Sequence, residues 1–295
     1  MTGAASRSSS SAAAEPWIVD AHHHVWDLSV RDQEWITGPE LAPIRRNFTL
    51  DDLVPAARAA GVAATVLVQT VCVAEETPEF LALAAGSDLV AGVVGWTDLT
   101  APDIADTLAR LRELPGGAHL VGIRHQVQGE PDPEWLLRPD VARGLRALSA
   151  AGLAYDLVVL PHQLPACVAA AAAHPELTFV LDHLGKPPIA AATLEPWATD
   201  LRALAALPHV TAKLSGLVTE ADRHSWTAKD LRPYMDTALD AFGPARLMFG
   251  SDWPVSTLAA TYDQVFDTAR ELTAHLGPAE REQLFARTAR DVYGL

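Results

Sequence analysis

The segment WIVDAHH, Trp17 to His23, is a short apolar run that ends in polar residues. Its length and aliphatic content are typical of a buried strand in a parallel sheet. Seven more segments of this kind follow along the chain: AATVLVQT (63–70), LVAGVVGWT (89–97), LVGIRHQ (120–126), LAYDLVV (153–159), TFVLDHL (178–184), VTAKLSG (210–216) and RLMFGSDWP (246–254). The sequence therefore predicts eight strands.

Amphipathic segments rich in alanine and leucine separate these strands. In the first of them, TLDDLVPAARAAG (49–61), Thr49 and Asp52 form a capping-box pattern and Gly61 marks the helix end. Strands that alternate with helices without a linker predict the α/β class and a single closed (β/α)8 TIM barrel. An open doubly wound sheet is the alternative, but no GxGxxG or GxxxxGK[ST] loop follows any strand.

Composition narrows the cellular setting and the kinds of partner. Residues 1–15 contain a serine run and are predicted to be a disordered tail, and residues 16–295 to form the barrel. The net charge of -15 and the pI near 5.0 argue against nucleic-acid and anionic-membrane partners. Without a signal-peptide pattern or a long apolar run, the sequence predicts a cytoplasmic protein. It leaves the oligomeric state open.

Polar residues stand where the predicted strands end, which is where barrel enzymes carry their catalytic groups. Alternate side chains of a strand face the same side, so His22 and His24 are expected to point together and His23 away. Two such imidazoles can share a metal ion or a substrate. Asp20, two residues earlier, is expected to hydrogen-bond His22 and fix its tautomer.

Three motifs resemble signature segments of the amidohydrolase superfamily: DAHHHVWD (20–27), LDHLGKPP (181–188) and MFGSDWP (248–254). They are most similar to the sugar-lactonase branch, which includes L-fuconolactonases and L-rhamnonolactonases and is related to pyrone-dicarboxylate and sulfomuconolactone hydrolases. The resemblance extends over most of the predicted barrel. It implies that the catalytic residues are His22, His24, His183 and Asp252.

The same resemblance limits the metal content. Arg124 stands on the fourth strand where two-metal members carry a bridging lysine or glutamate, and the fifth strand has Asp156 instead of a histidine. The resemblance therefore implies at most one divalent ion, with zinc favoured, held by His22, His24 and Asp252. A site without metal is the open alternative.

Lactone hydrolysis needs an activated water, a polarised carbonyl and a proton for the leaving alkoxide. We predict that Asp252 is the general base and that His183, with His22 or His24, polarises the carbonyl. For Arg124 the alternative is a structural ion pair with Asp156 or Asp182. The residues predicted to bind substrate are Arg124, His125, Trp26, Asp156, His162 and Trp253.

The predicted function is therefore that of a hydrolase that opens a sugar-derived lactone, such as L-fuconolactone or L-rhamnonolactone, to the aldonic acid. A metal-dependent decarboxylase of an aromatic or muconate-type acid is the alternative within the superfamily. A barrel that binds a ligand without turnover is the alternative from another class, because a fold does not guarantee activity. A small-molecule lactone is the one partner predicted.

Overall fold

The computed structural model describes residues 17–295. In this part of the chain eight parallel strands form one sheet in sequence order. The strands are β1 (Ile18–His23), β2 (Val62–Val68), β3 (Val90–Gly95), β4 (Leu120–His125), β5 (Ala154–Leu157), β6 (Phe179–Leu181), β7 (Val210–Leu214) and β8 (Leu247–Phe249). Each predicted strand is present, although most are shorter than the apolar segments that predicted them.

The sheet curves until its two ends meet. His23 forms a parallel bridge with Trp253, just beyond β8. The backbone N–H of His24 donates to the Trp253 carbonyl at 2.7 Å, and that of Asp252 donates to the His22 carbonyl at 2.8 Å. The predicted single (β/α)8 barrel is therefore confirmed in its nearly closed form, and its closure brings Asp252 beside His22.

Helices cover the outside of the barrel. The first begins as predicted, with the backbone N–H of Thr49 donating to Asp52 Oδ2 at 2.8 Å. Within residues 17–295 the helices are α1 (Leu50–Ala59), α2 (Glu76–Ala85), α3 (Ile104–Glu113), α4 (Pro139–Ala151), α5 (Leu164–Ala173), α6 (Trp197–Ala205), α7 (Leu217–Glu220), α8 (Ala228–Phe242), α9 (Tyr262–Leu272), α10 (Pro278–Glu282) and α11 (Thr288–Tyr293).

The sequence also predicted a disordered tail and contained no long apolar run that could cross a membrane. The predicted tail, residues 1–15, lies outside the described residues. Among the helices that the structure describes, none is long and apolar enough to cross a membrane.

The core has two parts. The larger lies between the sheet and the surrounding helices. The smaller fills the barrel with short aliphatic side chains such as Val66 and Val180, and Ala289 and Tyr293 of α11 join it. The C-terminal helix therefore contributes to the interior of the barrel.

Gly144 of α4 packs closely against the loop that contains Leu99, and a substitution there can test this contact. A Cβ at this position would lie 2.3 Å from the backbone oxygen of Leu99, which cannot move as a flexible side chain does. We expect Gly144→Ala to lower the free energy of unfolding by roughly 1–3 kcal/mol through overpacking. Denaturant titration measures this change.

The matched control is Gly129→Ala, because a Cβ there would have no atom within 4 Å. Its free energy of unfolding should stay within about 0.5 kcal/mol of that of the parent protein. Equal stability of the two variants would contradict the close contact between α4 and Leu99.

Candidate active site

A cavity open to solvent lies at the C-terminal ends of the strands. This is the end of the barrel at which the sequence placed the catalytic groups. The cavity is lined by His24, Trp35, Thr70, Arg124, Gln126, Gln128, Val158, His183, Lys186, Thr219, Glu220, Asp252 and Val255.

One carboxylate and three imidazoles converge at the bottom of the cavity. Asp252 Oδ1 lies 3.8 Å from His22 Nε2, 3.7 Å from His24 Nε2 and 3.9 Å from His183 Nε2. His22 and His24 point the same way, with their Nε2 atoms 3.1 Å apart. His23 turns away and bonds Thr65 Oγ1 at 2.9 Å, as strand alternation predicts.

The backbone around the site adopts left-handed conformations that most residues avoid. Five non-glycine residues in the described chain have positive φ, and three of them belong to the site: His183, Lys186 and Asp252. The contact of Gly216 with His183 is also close, since a Cβ on this glycine would lie 2.6 Å from His183 Nδ1. Such conformations cost free energy and persist where the surrounding structure enforces them.

The surroundings of the site favour the neutral form of the imidazoles and the ionised form of the Asp252 carboxyl group. Burial lowers the pKa of His22 well below its usual value, and it lowers the pKa of His24 and, to about 4, that of His183. Burial opposes ionisation of Asp252, but the electrostatic influence of His183 and the neighbouring His24 outweighs it and lowers the pKa of this carboxyl. At neutral pH the site therefore holds a carboxylate among neutral imidazoles.

Hydrogen-bond partners indicate which ring nitrogens carry protons. His24 Nδ1 lies 2.8 Å from the Val68 carbonyl, which can only accept, so Nδ1 carries the hydrogen and Nε2 has a lone pair. His22 Nε2 lies 3.1 Å from His24 Nε2, which accepts, and 3.4 Å from Arg124 Nη1, which can only donate. Its Nδ1 lies 3.2 Å from Lys213 Nζ, a donor, and 3.3 Å from Asp182 Oδ1, an acceptor.

Beneath the imidazoles, charged side chains are paired inside the barrel. Arg124 Nη1 donates to Asp182 Oδ2 at 2.8 Å, and Lys213 Nζ lies 3.0 Å from Asp182 Oδ1 and 2.5 Å from Asp156 Oδ2. Lys213 and both carboxylates are fully buried. The alternative of a structural ion pair for Arg124 is thus present, with Asp182 as its partner.

Of the residues predicted to bind substrate, Arg124 lines the cavity and the other five lie elsewhere. The ring of His125 stacks on Trp135 at 4.2 Å, and its Nε2 bonds Glu130 Oε1 at 2.7 Å. Trp26 and Trp253 pack against Phe48, Asp156 lies inside the barrel, and His162 is exposed. The predicted binding roles remain predictions.

Several cavity residues were missed from the sequence. Trp35 lies in the long first loop, and Gln126 and Gln128 follow β4. Lys186 and Glu220 stand close to each other, with Lys186 Nζ 3.8 Å from Glu220 Oε1. Lys186 had a usable signal in the motif LDHLGKPP, and Gln126 stood at the end of the predicted fourth strand; the others lie in segments without periodicity.

Asp20 has a role other than the one predicted. Its Oδ1 accepts from the backbone N–H groups of Ser251, at 2.8 Å, and His22, at 3.2 Å, and its Oδ2 accepts from Tyr262. The expected hydrogen bond to the imidazole of His22 is wrong. Asp20 instead joins the backbones of the first strand and the segment after the last strand.

The donor set suits a zinc ion, which favours imidazole nitrogen and carboxylate oxygen. His22, His183 and Asp252 offer ligand atoms that all lie within 4.8 Å of one another. The Nε2 lone pair of His24 lies next to them. For His22 to offer its own Nε2 lone pair, the proton would move to Nδ1, which faces Asp182 Oδ1 at 3.3 Å.

Known proteins share both the sequence and the fold. An L-fucono-1,5-lactonase of Burkholderia multivorans is 43% identical over 288 residues, covering 94% of this chain and 96% of that protein. Another, of Burkholderia ambifaria, is 40% identical over 244 residues, covering 83% of this chain and 82% of that protein. A crystal structure of a zinc-bound amidohydrolase from Burkholderia multivorans superposes with a TM-score of 0.90 at 41% identity, covering 95% and 99% of the two chains.

The amidohydrolase family model matches residues 19–295, from the first strand to the last helix. This range contains the three motifs and the four converging side chains. The superfamily expected from the motifs is confirmed, and the chain belongs to the amidohydrolase family.

Proposed function

We propose that this chain hydrolyses a sugar-derived lactone to the aldonic acid, with Asp252 as the general base. The observation that carries the proposal is the Asp252 carboxylate, held within 3.9 Å of three neutral imidazoles at the floor of an open cavity. The relatives named L-fucono-1,5-lactonase, 40–43% identical, support the substrate class. L-fucono-1,5-lactone and L-rhamnonolactone are the substrates to test first.

Asp252 is suited to the proton transfers of this reaction. Water attacks the carbonyl carbon, a C–O bond forms, and the Asp252 carboxylate takes the proton that the water releases. Collapse of the tetrahedral intermediate breaks the bond between the carbonyl carbon and the ring oxygen. The proton on Asp252 then passes to that oxygen, so the product is the open acid and the base is regenerated.

The imidazoles differ in what they offer to the developing oxyanion. His24 presents a lone pair at Nε2, because its ring hydrogen is on Nδ1 and is donated to the Val68 carbonyl. Nδ1 of His183 lies 2.9 Å from Ser215 Oγ. When the Ser215 hydroxyl donates to Nδ1, the ring hydrogen of His183 is on Nε2 and faces Asp252. We therefore assign carbonyl polarisation to His183, because Nε2 of the fully buried His22 already lies within hydrogen-bond distance of His24.

A zinc ion fits the same residues. His22, His183 and Asp252 would hold it, with His24 beside them, and the amidohydrolase relative with bound zinc supports the choice of ion. When bound, it would supply Lewis-acid polarisation and make the attacking water more acidic. The positions of the donors and the charge of Asp252 are properties of the chain itself.

The charges around the cavity favour a neutral substrate. All three nitrogens of the Arg124 guanidinium already donate to protein acceptors, namely Gln69 Oε1, the Gln69 carbonyl and Asp182 Oδ2. The ammonium of Lys186 has Glu220 beside it. A substrate carboxylate would thus meet no unpaired cation, which argues against the alternative of an aromatic or muconate-type acid.

The proposed function makes three predictions, of which the first concerns the general base. Asp252→Asn should lower kcat on the best aldonolactone by about 10²–10⁴-fold, because the amide cannot accept a proton from water. KM should change little. Initial rates measured with a pH indicator test this.

Asp267→Asn is the matched control, since Asp267 is exposed on α9, away from the cavity. It should retain the parent rate. An Asp252→Asn variant with more than a tenth of the parent kcat would rule out Asp252 as the base. A parent protein without turnover on any lactone would favour the alternative of a barrel that binds a ligand without catalysis.

The second prediction concerns substrate charge. A neutral aldonolactone should be preferred over a lactone of equal ring size bearing a carboxylate by about 100-fold in kcat/KM, because the carboxylate meets no free cation. Competition between the two in one reaction, followed by chromatography, measures the ratio directly. Preference for the carboxylated lactone would contradict the assignment of Arg124 and Lys186 as neutralised.

The third prediction concerns metal content. Chelator-treated protein given excess zinc and then desalted should retain no more than one ion per chain, because His22, His183 and Asp252 form one donor set. His22→Asn should weaken zinc binding by at least about tenfold, whereas exposed His224→Asn should not. Two ions per chain, measured by mass spectrometry of the metal, would contradict a single site.

A further inference from the structure

Gln126 holds its side-chain amide in one orientation at the wall of the active-site cavity. It follows β4 directly and lines the cavity together with His24, His183 and Asp252. Its Nε2 donates to the Thr70 carbonyl at 2.5 Å. Because that carbonyl can only accept, the amide nitrogen lies on this side and the amide oxygen, Oε1, on the other.

The Thr70 carbonyl that orients this amide is itself held in place. The buried carboxylate of Glu76 accepts from the backbone N–H of Thr70 at 2.8 Å and from that of Val71 at 3.3 Å, and the Thr70 hydroxyl donates to its other oxygen. The backbone of Gln126 is held as well, since its carbonyl accepts from the N–H of Gly129 at 2.9 Å. The amide is therefore fixed before a ligand binds, which lowers the entropic cost of binding.

The free atom of the Gln126 amide is a hydrogen-bond acceptor. Its Oε1 has no donor among the described residues and is not buried. Two other glutamines near the barrel use their amide oxygens within the protein, since Gln69 Oε1 accepts from Arg124 and Gln163 Oε1 from the backbone N–H of Leu160, both at 2.9 Å. Gln126 therefore retains one hydrogen-bonding position for a ligand.

The rest of the cavity wall indicates which ligand group suits this oxygen. Trp35 also lines the cavity, and its Nε1 already donates to Gln33 Oε1 at 2.9 Å, so the indole offers mainly apolar ring surface. The charges of the wall favour a neutral ligand, as Arg124 and Lys186 have acidic partners. In a neutral aldonolactone the hydroxyl groups are the only donors, and the C–H groups suit an aromatic surface. The amide oxygen therefore suits a ring hydroxyl.

We propose that Gln126 is a specificity-determining residue, whose Oε1 accepts a hydrogen bond from one ring hydroxyl of the substrate. Glu76 and Thr70 hold the amide in the orientation that this bond requires. The inference deepens the proposed function and rests on it for the choice of a hydroxylated lactone. The hydrogen bond itself forms on binding and does not require hydrolysis.

The test combines one change in the full-length protein with one change in the ligand. Gln126→Met removes the amide and keeps a side chain of similar length, and the ligands are L-fucono-1,5-lactone and its monodeoxy analogues, each without one ring hydroxyl. Gln126→Met should lower kcat/KM on the complete lactone by about tenfold. One monodeoxy analogue should show a similar loss with the parent protein and no further loss with the variant, because both changes remove the same hydrogen bond.

Two further variants complete the design. Gln264→Met is the matched control, because Gln264 is exposed on α9 and its Oε1 accepts from the backbone N–H of Thr261 at 2.8 Å. It should leave the relative rates on all these lactones unchanged. Gln126→Asn keeps an amide but withdraws the oxygen by one methylene, so it should show the same selective loss and replaces Gln126→Met if that variant does not fold.

The outcomes separate this role from a structural one and from the proposed function. A loss in Gln126→Met that is equal for the complete lactone and for every monodeoxy analogue would overturn the proposal, because Gln126 would then only support its loop.

A parent protein that hydrolyses no lactone would contradict the proposed function. The same pairs of protein and ligand are then compared by calorimetry, with L-fucono-1,5-lactam, a neutral ring that carries the same hydroxyls, and its monodeoxy analogues. A selective loss of affinity in Gln126→Met supports the role of Gln126 without hydrolysis. Equal affinities of the parent and Gln126→Met for the lactam, or no binding to the parent, would overturn it.

Discussion

The arrangement of the site depends on the mutual neutralisation of two buried cations, Arg124 and Lys213, by two buried carboxylates, Asp156 and Asp182. Removing such charges from water costs several kcal/mol per ion, which close partners must offset. The four residues come from β4, β5, β7 and the end of β6. A shift of any of these strands would leave a buried charge unpaired, at a cost of about 3–5 kcal/mol, so the network fixes the strands that carry the catalytic groups.

Above this network, backbone strain determines where the reacting side chains point. His183 lies two residues after the end of β6 and Asp252 three residues after the end of β8. Both adopt the left-handed conformation, which costs about 1–2 kcal/mol for a residue with a Cβ. An ordinary continuation of the strands would direct these side chains differently. The absence of a side chain at Gly216 leaves room for the imidazole of His183. The stability of the barrel therefore offsets the free-energy cost of the strained backbone that places Asp252 next to the three imidazoles.

The sequence predicted those parts of the structure that follow from local periodicity. The eight strands and the pairing of His22 with His24 depend on alternation along one segment, and both are present. Residues contributed by the long first loop, such as Trp35, and by the short helix α7, such as Glu220, could not be predicted because their positions depend on the whole fold. The error at Asp20 has a similar cause: β1 has a register irregularity between Asp20 and His23, so simple alternation does not describe where that carboxylate points.

His22 lies beneath the cavity among neighbours of opposite hydrogen-bonding character. The Lys213 ammonium and His24 Nε2 favour the hydrogen on Nε2, whereas Asp182 Oδ1 and Arg124 Nη1 favour it on Nδ1 and leave on Nε2 a lone pair suited to a cation. The two arrangements differ by the position of one proton, and all four neighbours lie within 3.4 Å of the ring nitrogens. The buried charges that fix the strands therefore also set the surroundings of this imidazole.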